Sequence, residues 1–305
     1  MSGISKLYIN QKLAIHRFEN GNDDPQKRDL SDVSSPYIWV DATYVKCRDG
    51  GHVSSCALVA AIGAASDGCR RLLGLDAVDT ESYAGRLAFL RSLRERSVGG
   101  VLCVTSDAHE GLRRTIGEVL PGAAWQRRVV HLMRNAASCA PTRQKRGAVL
   151  AIPHAVFDER DPEPVRELYR LACGEIGGIC PKAAELLEDA EADAPAYLDF
   201  PYAHYRRLRT NNVQERANRE LKRRSRVVQV FPSRKSLMRM LGAVFSEMDE
   251  DWASRRWFAE DSIALAVSPT RPAPPKPSYD GTASEHARRI MGVVIADNPV
   301  GGRAA

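Results

Sequence analysis

Three runs of apolar and β-branched residues, YIWVDATYVK (37–46), HVSSCALVAAIG (52–63) and CRRLLGLDAV (69–78), follow one another with only CRDGG and AASDG between them. Connections this short join antiparallel neighbours, because a parallel pair needs a crossover of roughly a dozen residues. Asp-Gly-Gly and Asp-Gly also supply the left-handed conformations of tight turns. The front of the chain is therefore expected to be a three-stranded meander.

The hydrophobic period then changes. DTESYAGRLAFLRSLRERSVGG (79–100) spaces Tyr83, Leu87 and Leu90 for one helical face and stops at Gly-Gly. VLCVTSD (101–107) reads as a short strand ending in acid, HEGLRRTIGEVLPG (109–122) as a helix, and WQRRVVHLM (125–133) as another strand. The order β-β-β-α-β-α-β implies an α/β domain whose mixed sheet is covered by helices.

Residues 1–36 offer little to bury and read as a loose leader. The first part of the sheet domain covers 37–134. Residues 135–204 carry only helix-like segments, among them PEPVRELYRLACGEI, and read as an all-helical insertion. Core helices and a basic stretch fill 205–265, and 266–305, with its run PTRPAPPKP, reads as a mostly disordered tail. With 44% hydrophobic residues the chain can build a sizeable core. It has no apolar run of membrane-spanning length and no signal-peptide pattern, so a cytoplasmic protein without a membrane partner is expected. The seven cysteines form no Cys-x-x-Cys pair and read as reduced, mostly buried thiols.

Net charge is only +6, yet residues 205–240 hold twelve Lys and Arg against two Glu, while 158–199 hold twelve Asp and Glu against four Lys and Arg. The acidic run reads as a solvated face. The basic one points to a polyanion, with Arg216, Arg219, Lys222, Arg223 and Arg224 as the phosphate-facing candidates. A solvated face is the alternative there too.

Two carboxylates sit inside this basic stretch, in RTNNVQERANRELKRRS (209–225). On a helix Val213, Ala217 and Leu221 form the apolar stripe, and Glu215 projects to the opposite side with Asn218, Arg219 and Lys222. Glu220 lies near the stripe's edge, within one turn of Arg216 and Arg224, and reads as an ion-pair partner. Asp41 follows apolar residues of the first strand, and Asp107 ends the fourth. If those strands are neighbours, the two acids repel unless a cation lies between them. Glu215 would complete an oxygen-rich site suited to magnesium. Structural alternatives are a surface acid for Asp41 and a helix N-cap for Asp107.

DAHEGLRRTIGEVLPGAAWQRRVVHLMRN (107–135) resembles the signature of the Mutator family of transposases, the bacterial insertion-sequence 256 group: a D-x-x-x-G-L start, a V-L-P-G-A turn and a W-Q-R…V-H-x-M-R-N end. IWVDATYVKCRDGG (38–51) and FPYAHYRRLRTNNVQERANRELKRRSRVVQVFPS (200–233) are similar to that family's segments around its first and last catalytic acids, and the likeness runs from about 37 to 266. The resemblance implies an RNase H-like fold with the helical insertion before the last catalytic helix. It implies DDE-type strand cleavage and strand transfer by Asp41, Asp107 and Glu215 with two magnesium ions, manganese able to substitute. The implied partners are DNA, as element ends and as target, and a second copy of the chain, in a nucleoid-associated protein of the bacterial cytoplasm.

Two departures accompany the resemblance. Arg128 stands where the family signature usually has Cys, so His131 has no Cys-x-x-His partner and reads as a structural or DNA-facing residue. Family members also carry a sizeable DNA-recognising region before the first acid, whereas the forty residues before Asp41 do not look like a helix-turn-helix. Two other readings remain open: a structure-specific nuclease of the same fold, and a truncated or repurposed copy that only binds DNA or a partner.

Overall fold

A computed structural model describes residues 27–49, 51–79, 83–210, 212–225, 228–268 and 279–300. It comprises two units: residues 1–125 with 211–268, and residues 126–210 with 269–305.

In the first unit the meander forms as its turns require. Strands β1 (Tyr37–Asp49), β2 (His52–Ala64) and β3 (Arg70–Asp79) pair antiparallel in sequence order, with Asp49 opposite His52 across the first turn. Gly51 takes φ +88° there and Gly68 takes φ +78° in the second turn. After helix α1 (Tyr83–Glu95), β4 (Cys103–Ser106) runs parallel to β1 over Tyr37–Trp39. Helix α2 (Glu110–Val119) and β5 (Ala124–Arg127) follow, giving a mixed five-stranded sheet in the order β3-β2-β1-β4-β5.

Alternation along β1 sorts its side chains between two layers. Ile38 and Val40 join Phe89, Leu90 and Leu93 of α1 and Ile116 of α2 in one core. Tyr37 and Trp39 face the other way, where Trp39 packs on Trp257 at 4.7 Å between ring centroids and Tyr37 on Phe258 at 5.6 Å. That second layer is built from α8 (Asn212–Ser225), α9 (Arg234–Ala253) and α10 (Glu260–Val267), with Leu237, Leu241 and Phe245 of α9 buried. Asp249 of α9 is buried as well. It accepts from the Leu72 amide and from Arg28 at 2.7 Å, which locks the helix to β3.

Gly68 shows why the second turn needs glycine. A Cβ there would collide with the Phe258 carbonyl, and the Gly68 carbonyl accepts from the amides of Trp257 and Phe258 at 2.8 and 3.0 Å. Gly68→Ala should therefore cost at least about 1–2 kcal/mol from the left-handed backbone alone, read as a lower denaturation midpoint with an unchanged slope. Gly51→Ala meets nothing within 4 Å and should show only the backbone part.

The second unit is helical: α3 (Val129–Cys139), α4 (Arg143–Asp158), α5 (Pro162–Ile179), α6 (Pro181–Glu188), two short 3-10 turns, α7 (Tyr205–Leu208) and α11 (Ala283–Asp297). Its core holds Val149, Ile152, Leu168, Ile176, Leu187 and Tyr197. Burial, with the nearby Arg207 charge, lowers the pKa of His204 to about 4, so the imidazole is neutral at physiological pH.

Three expectations need correction. The expected strand 125–133 ends at Arg127 and the chain turns helical at Val129, because Val129, Leu132 and Ala136 share a helical face that is buried. The expected loose leader lies outside the described residues up to 26. Its remainder is built into the core: Leu30 is fully buried and its amide donates to the Arg96 carbonyl at 2.9 Å. The expected disordered tail contains α11, which begins with a capping box between Thr282 and Glu285, buries Ala287 and Met291, and pairs His286 with Glu159 at 3.0 Å. The Pro-rich signal belongs to 269–278, outside the described residues.

Candidate active site

Asp41 sits in mid-strand on the face of β1 that carries Tyr37 and Trp39, and it is only 9% exposed. It is not the surface acid of the structural alternative. Its Oδ1 accepts from the Ala42 amide at 2.9 Å and its Oδ2 from Asn218 Nδ2 at 2.6 Å. An ionised carboxylate at this depth needs such donors, since burial without them is costly.

Asp107 follows β4. The β1–β4 ladder ends with Trp39 opposite Thr105. Asp41 lies two residues further along β1, and Asp107 two residues beyond Thr105, just past the end of β4. Asp107 is half-buried, and its Oδ1 is a buried atom. It is not the N-cap of α2: that position belongs to His109, whose amide donates to the Asp107 carbonyl at 2.8 Å. Burial and the neighbouring Arg86 guanidinium lower the pKa of His109, which keeps a second charge away from the acid.

Glu215 is on α8 and exposed. The helix is fixed across the sheet by its neighbour Gln214, whose Nε2 donates to the Trp39 carbonyl at 2.6 Å and to the Ala60 carbonyl at 3.0 Å. Val213, Ala217 and Leu221 are buried as the apolar stripe requires. Asn218 departs from expectation. It turns onto the flank that faces β1, one turn after Gln214, and leaves the solvent side to Glu215, Arg219 and Lys222.

Glu220 is an ion-pair partner, although of Arg223 and Arg224 at 2.7 and 2.8 Å and not of Arg216. Hydrogen bonds from these two guanidiniums, Arg223 foremost, bring its carboxyl pKa down to about 2. Arg224 is also bound to Glu247 at 2.7 Å. Arg223 and Arg224 are thus largely neutralised, whereas Arg216, Arg219 and Lys222 are exposed. His131 lies half-buried on the first turn of α3 in the second unit, after the buried Arg128 and Val129 and the exposed Val130.

Among the described residues, no group of three or more His, Cys, Asp or Glu side chains is arranged to hold a metal ion. Three carboxylates fit a hard divalent cation by their chemistry. As placed, Asp41 lies within β1, Asp107 just past the end of β4 and Glu215 on an exposed helix position, and they do not close around one. Gln214 and Asn218 escaped the sequence reading. The signal that could have found them is their spacing of four on the helix flank beside the apolar stripe. All seven cysteines are free thiols, and six of them are buried. No described helix is long and apolar enough to cross a membrane.

Known proteins place this architecture in a family. The family described as "Transposase, Mutator family" matches residues 15–255. The chain is 38% identical over 255 residues to the transposase for insertion sequence element IS1081 of Mycobacterium tuberculosis, which covers 83% of this chain and 61% of that protein. It is 37% identical over 218 residues to the transposase for IS406 of Burkholderia multivorans, covering 72% of this chain and 56% of that one. The transposase for IS256 in transposon Tn4001 of Staphylococcus aureus is 32% identical over 240 residues, with 77% and 61% covered. The chain thus spans about three-fifths of the length of these curated relatives. A family match over residues 15–255, together with relatives above 30% identity, shows that the chain belongs to the Mutator family of transposases.

Proposed function

We propose that the chain acts on DNA as a DDE-type transposase, cleaving strands and joining them to target DNA during transposition of an insertion sequence. One observation carries the proposal. Asp41 and Asp107 each lie two residues beyond Trp39 and Thr105, the last paired residues of neighbouring parallel strands, and the helix bearing Glu215 is tethered to β1 by Gln214 and Asn218. The sheet order β3-β2-β1-β4-β5, with β1 and β4 parallel and helices on both faces, supports an RNase H-like fold.

Asp41, Asp107 and Glu215 would hold two magnesium ions, or manganese, whose chemistry is to activate water or a 3′-hydroxyl and to stabilise the leaving oxygen of an in-line displacement. The protein's own part is positioning. Gln214 fixes the height of α8 above β1, Asn218 orients the Asp41 carboxylate, and the exposed cations Arg216, Arg219 and Lys222 meet DNA phosphates near Glu215. His131 is a further candidate contact to DNA. Element ends and target DNA are the partners. Two ends must be processed together, which favours a homo-oligomer, and the working location is the nucleoid of a bacterial cytoplasm.

The test is cleavage of duplex DNA carrying the element's ends by the purified chain, with and without magnesium. Cleavage that needs magnesium and stops with a chelator is expected. Asn218→Ala should lower it about 10–100-fold, as loss of a hydrogen bond that orients a ligand does, with DNA affinity unchanged. Binding without cleavage under any divalent ion would replace the proposal by a DNA-binding protein.

A further inference from the structure

The flank of α8 turned away from Asp41 forms a separate feature. At about 100° per residue, Arg216, Arg219, Glu220 and Arg223 turn toward α9, while Gln214 and Asn218 turn toward β1. Between α8, α9 and the start of β3 lies a cleft of about 650 Å³. This size is within the roughly 300–1,000 Å³ of small-ligand sites.

Each of the cleft's acids already binds an arginine, and one oxygen, Glu247 Oε1, is buried without a hydrogen-bond partner. Glu220 binds Arg223 and Arg224, Glu247 binds Arg224, and Asp251 binds Arg255 at 2.8 Å. Three lining guanidiniums are left over: among the described residues, Arg70, Arg216 and Arg219 make no ion pair. Arg70 is the unusual one. It lies over the rings of Trp252 and Trp257, 5.2 and 5.7 Å from their centroids. Its Nε is buried and has no hydrogen-bond partner. A guanidinium with an unmet buried donor, on aromatic faces and beside two further arginines, lacks an acceptor with negative charge. Burial, and the Arg216 charge behind it, lower its pKa, and a bound anion would relieve that cost.

We infer that this cleft holds a backbone phosphodiester of a nucleic-acid strand, gripped by Arg70, Arg216 and Arg219 on the side of α8 opposite Asp41. The inference rests on the proposed DNA-processing role and adds to it a particular phosphate seat. Trp252 is itself buried under Arg70, so the cleft has no open ring for a base to stack on and the grip is independent of sequence. A free polyphosphate has the same chemistry, and the experiment separates the two sources.

Arginine modification by phenylglyoxal, mapped by mass spectrometry, reads the cleft without requiring activity. With a short duplex of arbitrary sequence bound, Arg216 and Arg219 should lose their reactivity. The double variant Arg216→Gln and Arg219→Gln should reduce the log–log salt slope of DNA binding by about 1.8, two contacts at ~0.9 each. DNA that binds while both arginines stay reactive, or a slope unchanged in the double variant, overturns the cleft and with it the phosphate role given to Arg216 and Arg219, and leaves the proposed strand cleavage standing. Protection by inorganic pyrophosphate but not by DNA overturns the strand in favour of a free polyphosphate. Protection by DNA in a chain that does not cleave supports the cleft and counts against the proposed function alone. Arg70→Gln is the weaker variant, because Arg70 also packs on two tryptophans. The exposed pair keeps the test independent of folding.

Discussion

Asp41→Asn should reduce DNA cleavage about 10²–10³-fold or more, the loss seen when one preorganised charge is taken from a reacting centre, while DNA affinity stays near that of the unchanged chain. The substitution keeps the side chain's size, and with Oδ1 still accepting from the Ala42 amide and the Asn218 amide flipped so that its oxygen accepts from the new NH2 group, the readout isolates charge. Asp107→Asn and Glu215→Gln should behave alike, because each removes one carboxylate from the same proposed set. Glu220→Ala is the control on the same helix. Its carboxylate is held by Arg223 and Arg224 in a half-buried arrangement, Arg224 keeps Glu247 as a second partner, and cleavage should persist. If Glu220→Ala is inactive and Glu215→Gln active, the assignment of the two acids is reversed.

How far the sequence carried this result depends on the scale of each signal. The β1 to β3 meander was legible because tight turns leave one topology, whereas β1 and β4 were only possible neighbours in the sequence and their parallel pairing comes from the structure. The exposed placement of Glu215 and the ion-pair role of Glu220 were legible because a 3.6-residue period places one acid opposite a buried stripe and the other among arginines. The inward turn of Asn218 was not, since a polar residue beside the stripe faces solvent or sheet according to the neighbouring strand, here Asp41 of β1. The start of α3 was missed for a related reason. Val129 and Val130 suit a strand, and only the packing of Leu132 and Ala136 decides for helix. Arg70 lay beyond local reading altogether: its tryptophans stand some 180 residues later, and the cleft they line exists only after α9 has folded back onto β3.

The second unit should be most sensitive to Asp193. Arg127, at the end of β5, donates from Nε and Nη2 to the two Asp193 oxygens at 2.8 and 3.0 Å, and the side chains are only 12% and 9% exposed. The Arg127 amide also donates to the Asp193 carbonyl at 3.1 Å. The neighbouring Gln126 extends the latch, with Nε2 donating to the Ala194 carbonyl at 2.8 Å and Oε1 accepting from the Tyr197 amide at 2.6 Å. Asp193→Ala would take both carboxylate oxygens from a guanidinium that is only 12% exposed, so about 3–5 kcal/mol of stability should be lost. Against the roughly 5–15 kcal/mol by which folded proteins exceed their unfolded chains, that loss could unfold the unit at moderate temperature. Urea denaturation followed by circular dichroism measures it. A loss below about 1 kcal/mol, the range of exposed pairs, would show that water reaches the pair in solution. The double variant Arg127→Met and Asp193→Leu supplies the opposite limit: with both charges gone and the volume filled by apolar atoms, it should be more stable than either single variant, because the cost lies in the stranded charge and not in the missing bond.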